Sequence, residues 1–206
     1  MCNFQTPKIL HQSSKYLIFI GIMKKIGLIS DTHGYLDPRL LDLLQDVDEL
    51  WHAGDIGSLD VLQQLRDFKP LRAVWGNADG NDIRTAIDPR PRYVYSSDNS
   101  ATTNAQQARQ GILRFSVEDI TVLMTHIGGY PGHYSLKVIN ELRNDPPTIM
   151  VAGHSHILRV IYDKKYHCLH LNPGACGHYG IQGVRTALRF TIDASNIKDM
   201  EIIELS

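Results

Sequence analysis

KIGLISDTHG, residues 25–34, is the stretch on which the reading turns. KIGLIS is a short apolar run that predicts a strand, and it stops at Asp31, with His33 two places on and Gly34 beside it. Far down the chain GHSH, residues 153–156, repeats the arrangement: an apolar run, a glycine, then His154 and His156. In extended chain, side chains at i and i+2 share a face. Each pair therefore presents two donors toward one centre or toward two neighbouring centres.

Working outward, strand and helix signals alternate. DPRLLDLLQDV has leucines at helical spacing, Asp37 as N-cap and Pro38 in the first helical position. ELWHAGD reads as a second strand, SLDVLQQLRDF as a second helix capped by Ser58, and LRAVWGN as a third strand. Continuous apolar strands joined by helices predict a parallel sheet covered on both faces. After that, GILRFSVED and ITVLMTH predict adjacent strands turning near Glu118 and Asp119, and GHYSLKVINELRND a helix. TIMVAGHSH, ILRVIYDKKYHCLHLNPG, RTALRFTID and DMEIIELS read as strands joined by short turns, mostly antiparallel. Two sheets face to face with helices outside both is the expected architecture.

The chain has 206 residues, of which 43% are hydrophobic and 21% charged, the make-up of one soluble globular domain. A net charge of -1 offers no general attraction to nucleic acid or to an anionic membrane. Any local positive site must come from something other than a Lys/Arg excess, and a bound metal would serve. Cys2, Cys168 and Cys176 show no C-x-x-C spacing, so free thiols and a cytoplasmic location are expected. KYLIFIGIM, residues 15–23, is too short to span a bilayer. Met23 followed by KKIGLIS reads as a natural start, which makes residues 1–22 an extension or mobile tail and 23–206 a single domain. Residues 96–111, SSDNSATTNAQQARQG, are almost without apolar content and read as a polar loop insertion.

The polar residues at the strand ends carry the chemistry. The first strand ends at Asp31 with His33 beyond, the second at Asp55 and the third at Asn77. ITVLMTH ends at His126, and TIMVAGH at His154 with His156 beyond. Ligands of open α/β sheets bind outside the carboxyl ends of the strands, so these side chains are expected to converge. Glycines 34, 54, 76 and 153 are expected to turn the backbone beside them. Four His, two Asp and one Asn, without thiolate, form an N/O set suited to Mn, Zn, Fe, Ni or Co. Seven donors exceed one tetrahedral ion. If one carboxylate bridges, they serve two ions, the pairing that suits attack on phosphorus.

The ordered set D-x-H, G-D, G-N, H, G-H-x-H resembles the calcineurin-like metallophosphoesterases. With THIGGYPG (125–132) and LNPGACG (171–177) it is similar to their small bacterial and archaeal phosphodiesterase branch, which includes relatives of the retromer subunit Vps29. The resemblance implies an α/β fold, a four-layer α-β-β-α sandwich with two mixed central sheets. It implies two divalent metal ions, manganese first among the candidates. Asp31, His33 and His156 would hold one, Asn77, His126 and His154 the other, and Asp55 both. The implied reaction is phosphodiester hydrolysis by a metal-bridging hydroxide. Asp55, Asn77, Asp79 and His126 would serve catalysis, and Asn77, His126 and His133 would meet the substrate. The implied partners are a small phosphodiester and a second copy of the chain; nucleic acid enters only as a substrate, and no membrane is involved.

One departure matters. Larger relatives carry a histidine after Gly-Asn as general acid, and here that place is Ala78, in GNAD. Asp79 would orient His33 or another ligand, and His133 is the candidate substitute acid. Ala78 also sustains a second reading, a weakly active or non-catalytic interaction scaffold like Vps29. His52, His167, His170 and His178 are read as packed or turn residues.

Overall fold

The structure, a computed structural model, describes residues 23–88, 111–180 and 183–205. The proposed tail, 1–22, and all of the proposed loop insertion except Gly111 lie outside the described residues.

Side-chain alternation along β1 (Lys24–Ile29) sorts the layers. Ile26 and Leu28 join Trp51, Val122, Val151, Leu171 and Phe190 in one buried core, while Ile29 joins Leu40, Leu44, Leu50, Leu65 and Ile83 in another. A strand apolar on both faces belongs in the middle of a sheet. With β2 (Glu49–His52), β3 (Leu71–Ala73), β9 (Arg185–Asp193) and β10 (Asn196–Leu205), the order is β10-β9-β1-β2-β3, and β1 is central. β1, β2 and β3 are parallel, and β9 and β10 antiparallel.

The second sheet contains β4 (Ile112–Val117), β5 (Ile120–Thr125), β6 (Ile149–Ala152), β7 (Leu158–Asp163) and β8 (Cys168–Pro173), ordered β4-β5-β6-β8-β7. Its three central strands are parallel and its edges antiparallel. Trp51 meets Phe115 and Phe190 edge-on between the sheets, with ring centroids 5.0 and 5.6 Å away.

The helices complete four layers. α1 (Pro38–Leu43), α2 (Leu59–Phe68) and α3 (Asn81–Ile87) cover the first sheet through Leu40, Val61, Leu62, Leu65 and Ile83. α4 (Leu136–Asn144) covers the second, with Val138 and Leu142 against Leu123 and Met150. The expected α-β-β-α sandwich with two mixed sheets is the observed one.

Three details add to or differ from the sequence reading. The sequence leaves open which sheet β9 and β10 join; they return to β1, because Leu188 and Phe190 feed the central core while Ala187 feeds the outer one. α3 was not expected, since its Gly80 cap makes no side-chain bond and Ile83 is its one buried residue. α4 starts four residues later than GHYS implied, where Ser135 accepts from the Val138 amide.

Asp37 caps α1 as expected, accepting from the Arg39 amide at 3.0 Å. Its buried carboxylate also pairs with the guanidinium groups of Arg39 and Arg185, each at 2.9 Å. The Arg39 hydrogen bonds, aided by Arg185 and opposed by burial, hold it well below the usual carboxylate range. The unfolded carboxyl titrates near about 4. Its stabilisation is therefore complete at neutral pH and is lost as pH falls below that value. Asp37→Asn is expected to flatten the fall of unfolding free energy between about pH 4 and pH 2, read from urea melts at several pH values. An unchanged slope would show that neither the Arg39 nor the Arg185 pair contributes.

Candidate metal centre

The donor residues leave their strands through turns, not as extended chain. Asp31 (φ 56°), His33 (47°), Asp55 (56°), His154 (67°) and His156 (57°) all occupy the left-handed region. That conformation costs a non-glycine residue about 1–2 kcal/mol. Hydrogen bonds between neighbouring turns hold it: Asp31 N–H donates to Gly54 O at 2.9 Å, and His33 N–H to Asp55 O at 3.0 Å. His154 N–H donates to Asp31 Oδ2 at 3.1 Å, joining the second sheet to the first.

Six of the expected donors come together in two sets, Asp31 with His33 and His156, and Asp55 with His126 and His154; within each set the ligand atoms lie within 4.8 Å of one another. The sets adjoin. Asp55 Oδ2 is 3.2 Å from His126 Nε2 and 3.8 Å from His33 Nε2, so it faces both. Asp31 Oδ1 is 3.1 Å from His156 Nε2 and 3.9 Å from His126 Nε2. The two i, i+2 pairs behave differently: Asp31 and His33 serve one set, whereas His154 and His156 divide between the two. Exposed Asn77 lines the same cleft as His126.

These residues fit a bound cation. Asp31 Oδ1 and His126 Nε2 are buried with no hydrogen-bond partner among the described residues, and such atoms are costly unless something compensates them. His126 Nδ1–H donates to Ala53 O at 2.8 Å, so an ion that displaces the Nε2 proton would meet that nitrogen's lone pair. Burial raises Asp31 and Asp55, but the facing imidazoles, His156 and His126 for Asp31 and His126 for Asp55, outweigh it and hold both below the usual carboxylate range. Burial lowers His126, yet the two carboxylates pull it above the usual histidine value, whereas burial and the His126 charge lower His154. The pocket is built for positive charge.

A family model described as the calcineurin-like phosphoesterase superfamily domain matches residues 23–195. The chain belongs to that superfamily. A probable metallophosphoesterase of Methanothermobacter thermautotrophicus is 29% identical over 161 residues, 73% of this chain and 76% of that protein. The solved structure of an archaeal phosphodiesterase has a TM-score of 0.59 at 21% identity, covering 88% of this chain and 99% of that one. Vps29 of Entamoeba histolytica, solved with zinc, has a TM-score of 0.58 at 14% identity over 87% and 98% of the two chains. These structural likenesses bear on the fold.

In this calcineurin-like phosphoesterase, Asp79 does not orient His33. Its Oδ1 accepts from the Gly57 amide and its Oδ2 from the Gly76 amide, each at 2.8 Å. It thus clamps the turn after Asp55 to the turn before Asn77. Gly76 is needed for room, not for a turn: a Cβ there would lie 2.0 Å from Asp55 Oδ1. Likewise a Cβ at Gly153 would meet Ser30 Oγ at 2.2 Å. Ala78 gives its amide to Asp55 Oδ1 at 2.8 Å.

His133 is exposed and its ring lies 4.9 Å from that of Tyr130, outside both donor sets. His52 is buried as expected: Gly54 N–H donates to its Nδ1 at 3.1 Å, so its Nε2–H faces Thr32 Oγ1 at 3.0 Å. Burial drives it down to about 4, and it stays neutral. Sequence reasoning missed Ser30, which donates to Asp31 Oδ2 at 2.5 Å, and Tyr179, whose ring lies 4.8 Å from that of His33. A small polar residue before an Asp carries no distinctive signal. No helix among the described residues is long and apolar enough to cross a membrane.

Asp79→Asn keeps one acceptor but turns an amide N–H against the other backbone donor. It is expected to weaken divalent metal binding by about 10–100-fold, the usual cost of losing a group that orients ligands, measured by titrating metal-free protein with Mn²⁺ or Zn²⁺. Unchanged affinity would show that the clamp is dispensable.

Proposed function

We propose that this chain is a metal-dependent phosphodiesterase acting on small phosphodiesters. The observation that carries the reading is the pair of adjoining donor sets with Asp55 facing both and two buried ligand atoms left without partners. Asp31, His33 and His156 would hold one divalent ion, Asn77, His126 and His154 the other, and Asp55 would be shared. When bound, such ions supply an activated water and positive charge for the phosphoryl oxygens. Manganese is the ion to test first, since the donor set holds no thiolate. Burial pushes the neighbouring Cys176 thiol up to about 12, which keeps it protonated. A cytoplasmic location belongs to the same proposal, supported by Cys168 and Cys176 standing as free thiols.

The chain's own residues divide the remaining work. His126, anchored on Ala53 O, presents Nε2 at a fixed angle. Asp79 holds the Asp55 and Asn77 turns in register. Ala78 has no proton to give, and general acid help is worth about 10²–10⁴-fold. Esters whose alcohol leaves as a stable anion, such as nitrophenolate, are accordingly favoured. A second reading, a scaffold with weak or no catalysis, is supported by Ala78 and by the likeness to Vps29.

Hydrolysis of bis(4-nitrophenyl) phosphate separates the two. The expected result is turnover that requires added Mn²⁺, disappears with EDTA, and is abolished in Asp55→Asn together with stoichiometric metal binding. No turnover with any divalent ion would favour the scaffold. Full activity in Asp55→Asn would overturn the shared-carboxylate assignment.

A further inference from the structure

Beside the second donor set lies a cleft of about 370 Å³, within the range of small-molecule sites. Asn77 and His126 form its reactive end, Trp75 and Ile127 line it with apolar surface, and Arg84 and Lys137 bring it positive charge. Arg84 stacks its guanidinium 4.5 Å above the Trp75 indole, and its buried Nε has no hydrogen-bond partner among the described residues. Arg84 Nη2 donates to Gly76 O at 3.5 Å, and Glu141, itself paired with Arg114, acts on Lys137 through its charge. Two cations and an indole thus share one cleft in a chain whose net charge is -1.

Resting on the phosphodiesterase reading, we infer that this cleft selects the substrate: it takes a phosphodiester with one flat, nucleobase-like arm and a second negative group. The arm lies against the Trp75 indole and the Arg84 guanidinium stacked on it, flat groups that bind a base without sequence-specific contacts. The second anion lies between Arg84 and Lys137, and the scissile phosphate at the Asn77 and His126 end. Burial also lowers Lys137, with Glu141 opposing it. A bound anion would offset that penalty through its charge. Trp75, Arg84 and Lys137 come from the turn after β3, α3 and α4, so the two halves of the chain build the cleft jointly.

The test uses AMP as probe, in EDTA so that no metal competes for the phosphate. The chain has two tryptophans, and Trp51 is fully buried, so ligand quenching of indole fluorescence reports Trp75. AMP is expected to quench it, to bind about tenfold more tightly than adenosine, and to lose the signal in Trp75→Phe. In the Mn²⁺-loaded protein, the ratio of kcat/KM for the 5′-(p-nitrophenyl phosphate) of thymidine 3′-phosphate, which carries a second anion, over the same ester of thymidine, which does not, is expected to fall about tenfold in Lys137→Gln and in Arg84→Gln. No quench, or equal binding of AMP and adenosine, overturns the assignment. Diester hydrolysis with an unchanged ratio in both variants overturns it too while leaving the phosphodiesterase reading intact. Quenching by AMP without hydrolysis of any diester supports the cleft and removes the phosphodiesterase reading.

Discussion

The structure depends on one buried carboxylate. Asp31 is 0% exposed, yet it stays ionised. Ser30 and the His154 amide secure Oδ2, and the latter bond crosses from one sheet to the other. Oδ1 accepts no hydrogen bond among the described residues and is surrounded by the imidazoles of His33, His126 and His156. An ionised group in such a place is tolerated only with a compensating positive charge. The left-handed turns, the tautomer of His126 and the room left at Gly76 all serve that requirement.

The same constraint explains why strain gathers at one end of the sandwich. Five donor residues sit in a conformation that side chains avoid. Each would relax if the surrounding bonds were weaker, and a relaxed turn would swing its donor away. Asp79 is central to resisting this, because it bonds two backbone amides on separate turns while remaining buried. Stability is spent on position.

Much of this was legible in the residues. Apolar runs ending in Asp, Asn or His marked the strands and their active ends, and Asp37 and Ser58 marked two helix starts because their side chains do cap them. Other features left no local signature. The splitting of His154 from His156 depends on dihedral angles that an i, i+2 spacing does not encode. The return of β9 to β1 depends on which layer Ala187, Leu188 and Phe190 complete, a property of the assembled core. Arg84 and Lys137 look like ordinary helix-surface cations in the sequence. Only the packing of α3 and α4 around Trp75 gives them a shared cleft.

The strand order has a consequence for biosynthesis. β1 is among the first described elements, yet one of its edges pairs with Arg185–Asp193, close to the opposite end of the chain. A ribosome releases the intervening residues before that neighbour exists. Until then an apolar strand edge stands open in the nascent protein, the kind of surface that invites intermolecular pairing. Completing this sheet requires the β9–β10 hairpin, and pairing across so long a stretch of chain is intrinsically slow.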